Sequence, residues 1–173
     1  MKSKAFTMIE LIFVIVIIGI LASVAIPKFS NLTSNAKISS ELSTASAVET
    51  AIESAHSEWI VSDCNFSWGA DKTSNCSQNP NSVSNEFNCS AGYPQNLGDC
   101  NNNPFKYILK NAEALKNDWN CTTKSNGIVI FQGPASKSNS GVKDGNEIKP
   151  DQCDYWEYNR SKGSFKLIDL NCS

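Results

Sequence analysis

The sequence predicts an α+β protein in which one long N-terminal helix spans a membrane with its first half. Its second half packs against a C-terminal antiparallel sheet, and a disulfide-rich loop region lies between. Three observations carry this prediction. Residues 6–26, FTMIELIFVIVIIGILASVAI, are apolar apart from Thr7, Glu10 and Ser23. From Ile38 to Trp59 apolar residues recur at helical steps. Beyond position 62 the chain is rich in Asn, Ser, Gly and Pro, carries all seven cysteines, and ends in strand-like runs.

A chain of 173 residues has room for one core of ordinary size plus an appendage. Its formal net charge of -2 excludes the global basic field that draws nucleic acid or an anionic surface. Boundaries come from the composition shifts: a leader at 1–5, an apolar helix half at 6–26, an amphipathic half at 27–62 and a cysteine-rich head at 63–173.

A helix over residues 6–26 is about 31 Å long, close to the hydrocarbon thickness of a bilayer. Lys2 and Lys4 precede it, which keeps the N-terminus in the cytoplasm and exports the remainder of the chain. The apolar run is too long for a secretory signal and leads into Pro27-Lys28-Phe29 rather than a cleavage site. The removable piece is instead the polar leader Met1–Ala5, which ends on a small residue just before Phe6. Cleavage there frees an α-amino cation at Phe6. Glu10 is the one charge inside the span, and an intramembrane charge asks for a partner. In a bundle of parallel helices, Glu10 of one molecule can meet the Phe6 amine of another, which fixes axial register. Gly19 marks close helix packing and Pro27 a kink.

Ala5-Phe6-Thr7-Met8-Ile9-Glu10-Leu11, the run through Ile26, and Pro27 closely resemble the leader and N-terminal helix of type IV pilins and type II secretion pseudopilins. The resemblance covers roughly the first 30 residues. It implies cleavage by a prepilin peptidase between Ala5 and Phe6, N-methylation of Phe6, and docking through Glu10, with Pro27 where the helix yields on assembly. The family usually has Gly where this chain has Ala5. The partners implied are the peptidase, other pilin or pseudopilin subunits and an inner-membrane assembly platform. The implied location is the bacterial inner membrane, single-pass with a cytoplasmic N-terminus, before assembly and a periplasmic or extracellular filament after it.

After Pro27, Ile38, Leu42, Ala45, Val48, Ile52, Ala55 and Trp59 form one helical stripe that reads as domain core, the helix ending near Val61. Glu41, Glu49, Glu53 and Glu58 are assigned to the other faces, and His56, the only histidine, to solvent. Residues 63–104 read as turns stapled by Cys64, Cys76, Cys89 and Cys100. Four cysteines allow three pairings; neighbours, Cys64 with Cys76 and Cys89 with Cys100, are favoured. Without a C-x-x-C, and in an exported segment, disulfides are expected over zinc. Phe105–Trp119 reads as a short amphipathic helix or a turn-helix unit. Gly127–Gln132, Asp154–Arg160 and Ser164–Leu170 read as strands, the last two joined by Ser161-Lys162-Gly163. Cys153 and Cys172 flank that hairpin and suit a lock on the last strand, as a disulfide does in many pilins. Cys121 is then the odd thiol.

No Ser-His-Asp order, H-E-x-x-H, phosphate loop or paired-carboxylate signature is present, so no enzyme is expected. No cofactor is expected either. The stretch Asp144-Gly145-Asn146-Glu147 with Pro150-Asp151 could bind calcium as an acidic loop does in major pseudopilins, but lacks regularly alternating oxygen ligands. Asp63–Ser67, Glu86–Ser90 and Asp118–Thr122 each read acidic-x-Asn-x-Ser/Thr, the acceptor pattern of bacterial Asn-linked glycosylation, which coincidence also explains in so Asn- and Ser-rich a chain. The lysines and arginines after Pro104, among them Arg160, Lys162 and Lys166, would suit a DNA-uptake filament, but acidic residues share that region. The function expected is a structural filament subunit of a pilus, secretion or DNA-uptake system. The alternative is a membrane-anchored module that never polymerises and whose head binds DNA, a surface or a secreted substrate.

Overall fold

In a computed structural model of the chain, residues 7–62, 67–68, 74–76, 87–124, 126–143, 145 and 148–170 are described. The chain divides into two compact units, Met1–Ala36 and Lys37–Ser173. Helix α1 (Met8–Val61) contributes to both, and its end at Val61 is where the stripe predicts it.

In the first unit, α1 is a bare apolar rod. Met8, Phe13, Leu21 and Ile26 are 82%, 67%, 65% and 69% exposed, and its best 18-residue window has a mean hydropathy of 3.0 with nothing of it buried. Such a continuous exposed apolar surface belongs to a membrane or a protein partner, not to water. The helix runs through Pro27, whose missing N–H cannot serve the Ser23 carbonyl. Beside Gly19 there is open space, as a position reserved for an approaching helix would have.

In the second unit the α1 stripe becomes core. Ala45, Val48 and Ile52 are buried with Leu97, Phe105, Ala112, Trp119, Val129, Phe131, Trp156, Tyr158 and Phe165. Most of the large rings come from a four-stranded antiparallel sheet, β5 (Asn120–Thr123), β6 (Ile128–Gln132), β7 (Tyr155–Asn159) and β8 (Ser164–Ile168), in the order β5-β6-β7-β8. Alternation places Val129 and Phe131 of β6, and Trp156 and Tyr158 of β7, on the buried face. Phe131 stacks on Phe105 with centroids 5.1 Å apart, and Trp156 on Phe165 at 5.3 Å. The Tyr158 hydroxyl donates to the Pro94 carbonyl at 2.7 Å, and burial pushes that phenol well above its ordinary pKa. Two short antiparallel pairs complete the head: β1 (Ser67–Trp68) with β2 (Ser74–Asn75), and β3 (Phe87–Asn88) with β4 (Tyr93–Pro94).

The three predicted strands are present within their predicted bounds, and β5 is an addition to them. The β7–β8 turn falls at Ser161-Lys162-Gly163 as expected. Asn159 Oδ1 accepts the amides of Ser161 and Lys162. Gly163 has a φ of 63°, and a Cβ there would meet the Tyr93 ring at 2.2 Å, so the turn demands glycine twice over.

The segment Phe105–Trp119 is corrected. It forms turns and a single 3-10 turn, Ala112–Leu115, closer to the turn-helix alternative than to a continuous amphipathic helix. A continuous helix would hold Phe105 and Trp119 about 21 Å apart, whereas their rings meet edge-to-face at 5.0 Å. Burying both aromatic ends in one core outweighs helix propensity.

The neighbour pairing is corrected too. The disulfides are Cys76–Cys89 and Cys100–Cys121, so Cys121 is not the odd thiol. The first bridge sits in a small core of Ala55, Phe87 and Trp59. The second ties the turns ahead of Phe105 to the edge strand β5, with Cα atoms 4.9 Å apart. Cys153 is also disulfide-bonded; Cys64 and Cys172 lie outside the described residues. The register pairs Tyr155 with Ile168, and Asp154 Oδ1 accepts the Leu170 amide at 2.9 Å, which holds Leu170 against the residue that follows Cys153. Proteolysis without reduction, then mass spectrometry, is expected to return Cys76–Cys89, Cys100–Cys121 and Cys153–Cys172 as linked peptides. Recovery of Cys64 joined to Cys153 would overturn the last of these.

Candidate assembly site

Of the residues predicted for processing and assembly, Ala5 and Phe6 lie outside the described residues, while Glu10 and Pro27 lie on the exposed rod. Thr7 precedes the first residue of α1, with Glu10 three residues on. Glu10 Oε2 accepts both the Thr7 amide and the Thr7 hydroxyl at 2.9 Å, and the Glu10 amide meets Thr7 Oγ1 at 3.4 Å. This is a reciprocal capping box, which supplies partners for amide donors that a helix start leaves unpaired. Reading Glu10 only as a carboxylate waiting for another molecule misses this local partner, although the Thr-x-x-Glu spacing announces it. Both bonds from Thr7 end on Oε2, leaving Oε1 without a hydrogen bond among the described residues.

A second carboxylate shapes the head. Glu41, expected on an outer face, is fully buried. Its Oε2 accepts the amides of Ala135 at 2.7 Å and Ser136 at 3.1 Å. Its Oε1 accepts the Ser136 hydroxyl at 2.7 Å and the Trp156 indole N–H at 2.8 Å. Four donors thus meet an acceptor that can take about four bonds. The correction has a plain cause: 38, 41, 45, 48, 52, 55 and 59 step by three and four, so position 41 lies in the seam itself. A Cβ on Gly133 would come within 2.6 Å of the Glu41 carboxyl, so only glycine lets that turn close over it. Nearby, the Lys37 ammonium donates to the Ser140 carbonyl at 2.6 Å, and Ile38 packs with Ala135 and Val142. The 133–142 turn is therefore strapped to the helix at three successive points.

His56 is also corrected, from solvent-facing to half-buried. Its Nδ1 lies 2.8 Å from the Gly92 carbonyl, and its ring stacks on Tyr93 at 4.2 Å and Trp59 at 5.5 Å. A carbonyl only accepts, so Nδ1 carries the proton. Position 56 borders the seam one residue past Ala55, close enough for the ring to fold inward.

Of the acidic stretch considered for calcium, Asp144, Asn146 and Glu147 lie outside the described residues. Asp151 Oδ2 accepts the Gly145 amide at 2.8 Å, and buried Asp154 accepts the Asp151 amide at 2.9 Å. Desolvation raises the Asp154 pKa, opposed by its bonds from the Leu170 and Asp151 amides. Among the described residues no three His, Cys, Asp or Glu side chains converge as metal ligands.

Similarity to known proteins covers part of the chain. Residues 1–26 match the family model described as the prokaryotic N-terminal methylation motif. A fimbrial protein of Pseudomonas aeruginosa is 48% identical over 52 residues, 30% of this chain and 34% of that protein. The type IV narrow pilus major component PilA5 of Thermus thermophilus is 51% identical over 51 residues, 30% of this chain and 44% of that protein. The type IV major fimbrial protein FimA of Dichelobacter nodosus is 38% identical over 85 residues, 47% of this chain and 53% of that protein. No solved structure matches. The N-terminal region thus carries the motif described for N-terminally methylated prokaryotic proteins. By that region the chain is similar to type IV pilins, and it spans only about a third to a half of the length of these relatives.

Two substitutions test the geometry. Glu41→Ala removes the acceptor from four donors, and each buried donor left unsatisfied costs about 1–3 kcal/mol. Thermal denaturation of the full chain in detergent micelles is expected to show a loss of more than about 3 kcal/mol, against about 1 kcal/mol for Ser136→Ala. Equal losses would dismiss the carboxylate as the organising group. Thr7→Val dissolves the capping box, and hydrogen exchange in micelles is expected to report about 1 kcal/mol less protection in the first turn of α1. Unchanged exchange there would show that the cap contributes nothing.

Proposed function

We propose that this chain is a structural subunit of a type IV pilin filament, stored in the inner membrane with its head on the exported side. A prepilin peptidase cuts between Ala5 and Phe6, Phe6 is N-methylated, and an assembly platform lifts the subunit into the growing filament. The carrying observation is the bare apolar rod that begins on the Thr7–Glu10 capping box. Its exposed surface suits lipid before assembly and neighbouring rods after it. In the filament, Glu10 of one subunit meets the Phe6 amine of another, with Oε1 available while Oε2 holds Thr7. The role is mechanical: the rods polymerise, and the heads form the outer surface. The similarity to fimbrial proteins supports a pilus subunit ahead of a secretion pseudopilin or a DNA-uptake component.

Sequencing of the protein from its native cells is expected to find N-methylated Phe6 at the start. Glu10→Ala is expected to leave insertion and cleavage intact while cutting incorporation into sheared filaments at least tenfold. Retention of Met1–Ala5, or absence of the unsubstituted chain from sheared filaments, would refute the subunit role and leave an anchored, non-polymerising module; normal incorporation of the Glu10→Ala chain would refute docking through Glu10.

A further inference from the structure

Filament assembly leaves one sequence pattern unused. The acidic-x-Asn-x-Ser/Thr pattern occurs at Asp63–Ser67, Glu86–Ser90 and Asp118–Thr122, and again as Asp169-Leu170-Asn171-Cys172-Ser173. Random ordering of this composition would give fewer than one such segment. Asn65 and Asn171 lie outside the described residues, so the structure compares Asn88 with Asn120.

The two differ in availability. Asn88 is half-buried, and its Oδ1 accepts the amides of Ser90 and Ala91 at 3.1 Å each, so its carboxamide is already part of a turn. Asn120 opens β5, the edge strand of the sheet. Asp118, Asn120 and Thr122 are all exposed. Alternation puts the Asn120 carboxamide and the Thr122 hydroxyl side by side on one face, with Cys121 turned the other way into its bridge to Cys100. The outer edge of β5 pairs with no strand among the described residues, and an extended segment with an open edge can be read by strand addition in a partner's groove. Asp118 adds a charge by which that groove can recognise the segment.

We propose that Asn120 is the acceptor of an Asn-linked oligosaccharide. The co-reactant is an oligosaccharide carried on a lipid pyrophosphate at the exported membrane face. Asn120 Nδ2 attacks the anomeric carbon and forms the C–N bond as the C–O bond to pyrophosphate breaks. The lipid pyrophosphate leaves with the electron pair, and the Nδ2 proton passes to a carboxylate base of the transferase. The assignment rests on export of the head, as in the proposed function, but not on polymerisation.

The test uses the full chain from its native cells, reduced, alkylated and cut with trypsin, which yields residues 117–124 as one peptide. That peptide is expected to carry a saccharide mass increment on Asn120 with sugar fragment ions. The increment is expected to vanish in Asn120→Gln and Thr122→Ala and to persist in Thr122→Ser, all at exposed positions where the thermal midpoint should not move. A 117–124 peptide found only at its unmodified mass overturns the proposal, as does a glycan carried on other asparagines alone. Unmodified Asn120 on a chain that starts at Phe6 sinks this inference and leaves the filament reading standing. A glycan on Asn120 of a chain that keeps Met1–Ala5 does the reverse.

Discussion

The head is organised by what one seam of α1 must bury. Positions 38 to 59 present apolar side chains every three or four residues, and the sheet and the 94–119 turns supply aromatic rings to cover them. Hydrophobic burial is strong but non-directional, and a stripe of Ala, Val and Ile could be covered in more than one register. Glu41 removes that freedom. A carboxylate placed in the seam is tolerable only where its lone pairs find donors, and the Gly133–Ser136 turn and Trp156 meet that need in one arrangement. The same polar group that adds little net stability therefore selects one packing among several.

How much of this can be read from the chain varies by element, for physical reasons. The rod, the stripe, the end of α1 and three strands are set by periodicity, which is a local property. Glu41 is legible in its spacing and misleading in its chemistry, because charged residues are so rarely buried. The Phe105–Trp119 segment misleads for the opposite reason. Its local pattern is helical, and only the long-range meeting of its two aromatic ends shows that the chain must fold back. Thr7 and Glu10 form a four-residue signature that is visible in the sequence, but a carboxylate in an apolar span points first to an intermolecular partner and so hides the intramolecular one.

The disulfides show the same division between local and long-range. Even spacing invites pairing of neighbours, since short loops close at least entropic cost. The observed bridges instead obey the core. Cys76 and Cys89 are buried with Phe87 against Ala55, and Cys100 is drawn to Cys121 because β5 has to run alongside β6. Bridges set by packing reinforce what the core already specifies, and they also hold together turns too polar to bury much surface of their own. A head so rich in Asn and Ser depends on such covalent ties more than one with a larger apolar core would.

Two of the carboxylates of α1, Glu10 and Glu41, meet related needs in different surroundings. Glu41 is saturated within its own chain and has nothing left to offer a neighbour. Glu10 is only half-used among the described residues: Thr7 occupies Oε2 and caps the helix, while no described residue donates to Oε1. A glutamate without that cap would be held less firmly and would face lipid with more unmet need. A glutamate with both oxygens satisfied locally would have no reason to seek a partner. On the proposed function, capping on one oxygen would let the chain reside in the membrane and dock in the filament without first breaking the helix start, so the same Thr-x-x-Glu box would serve both states.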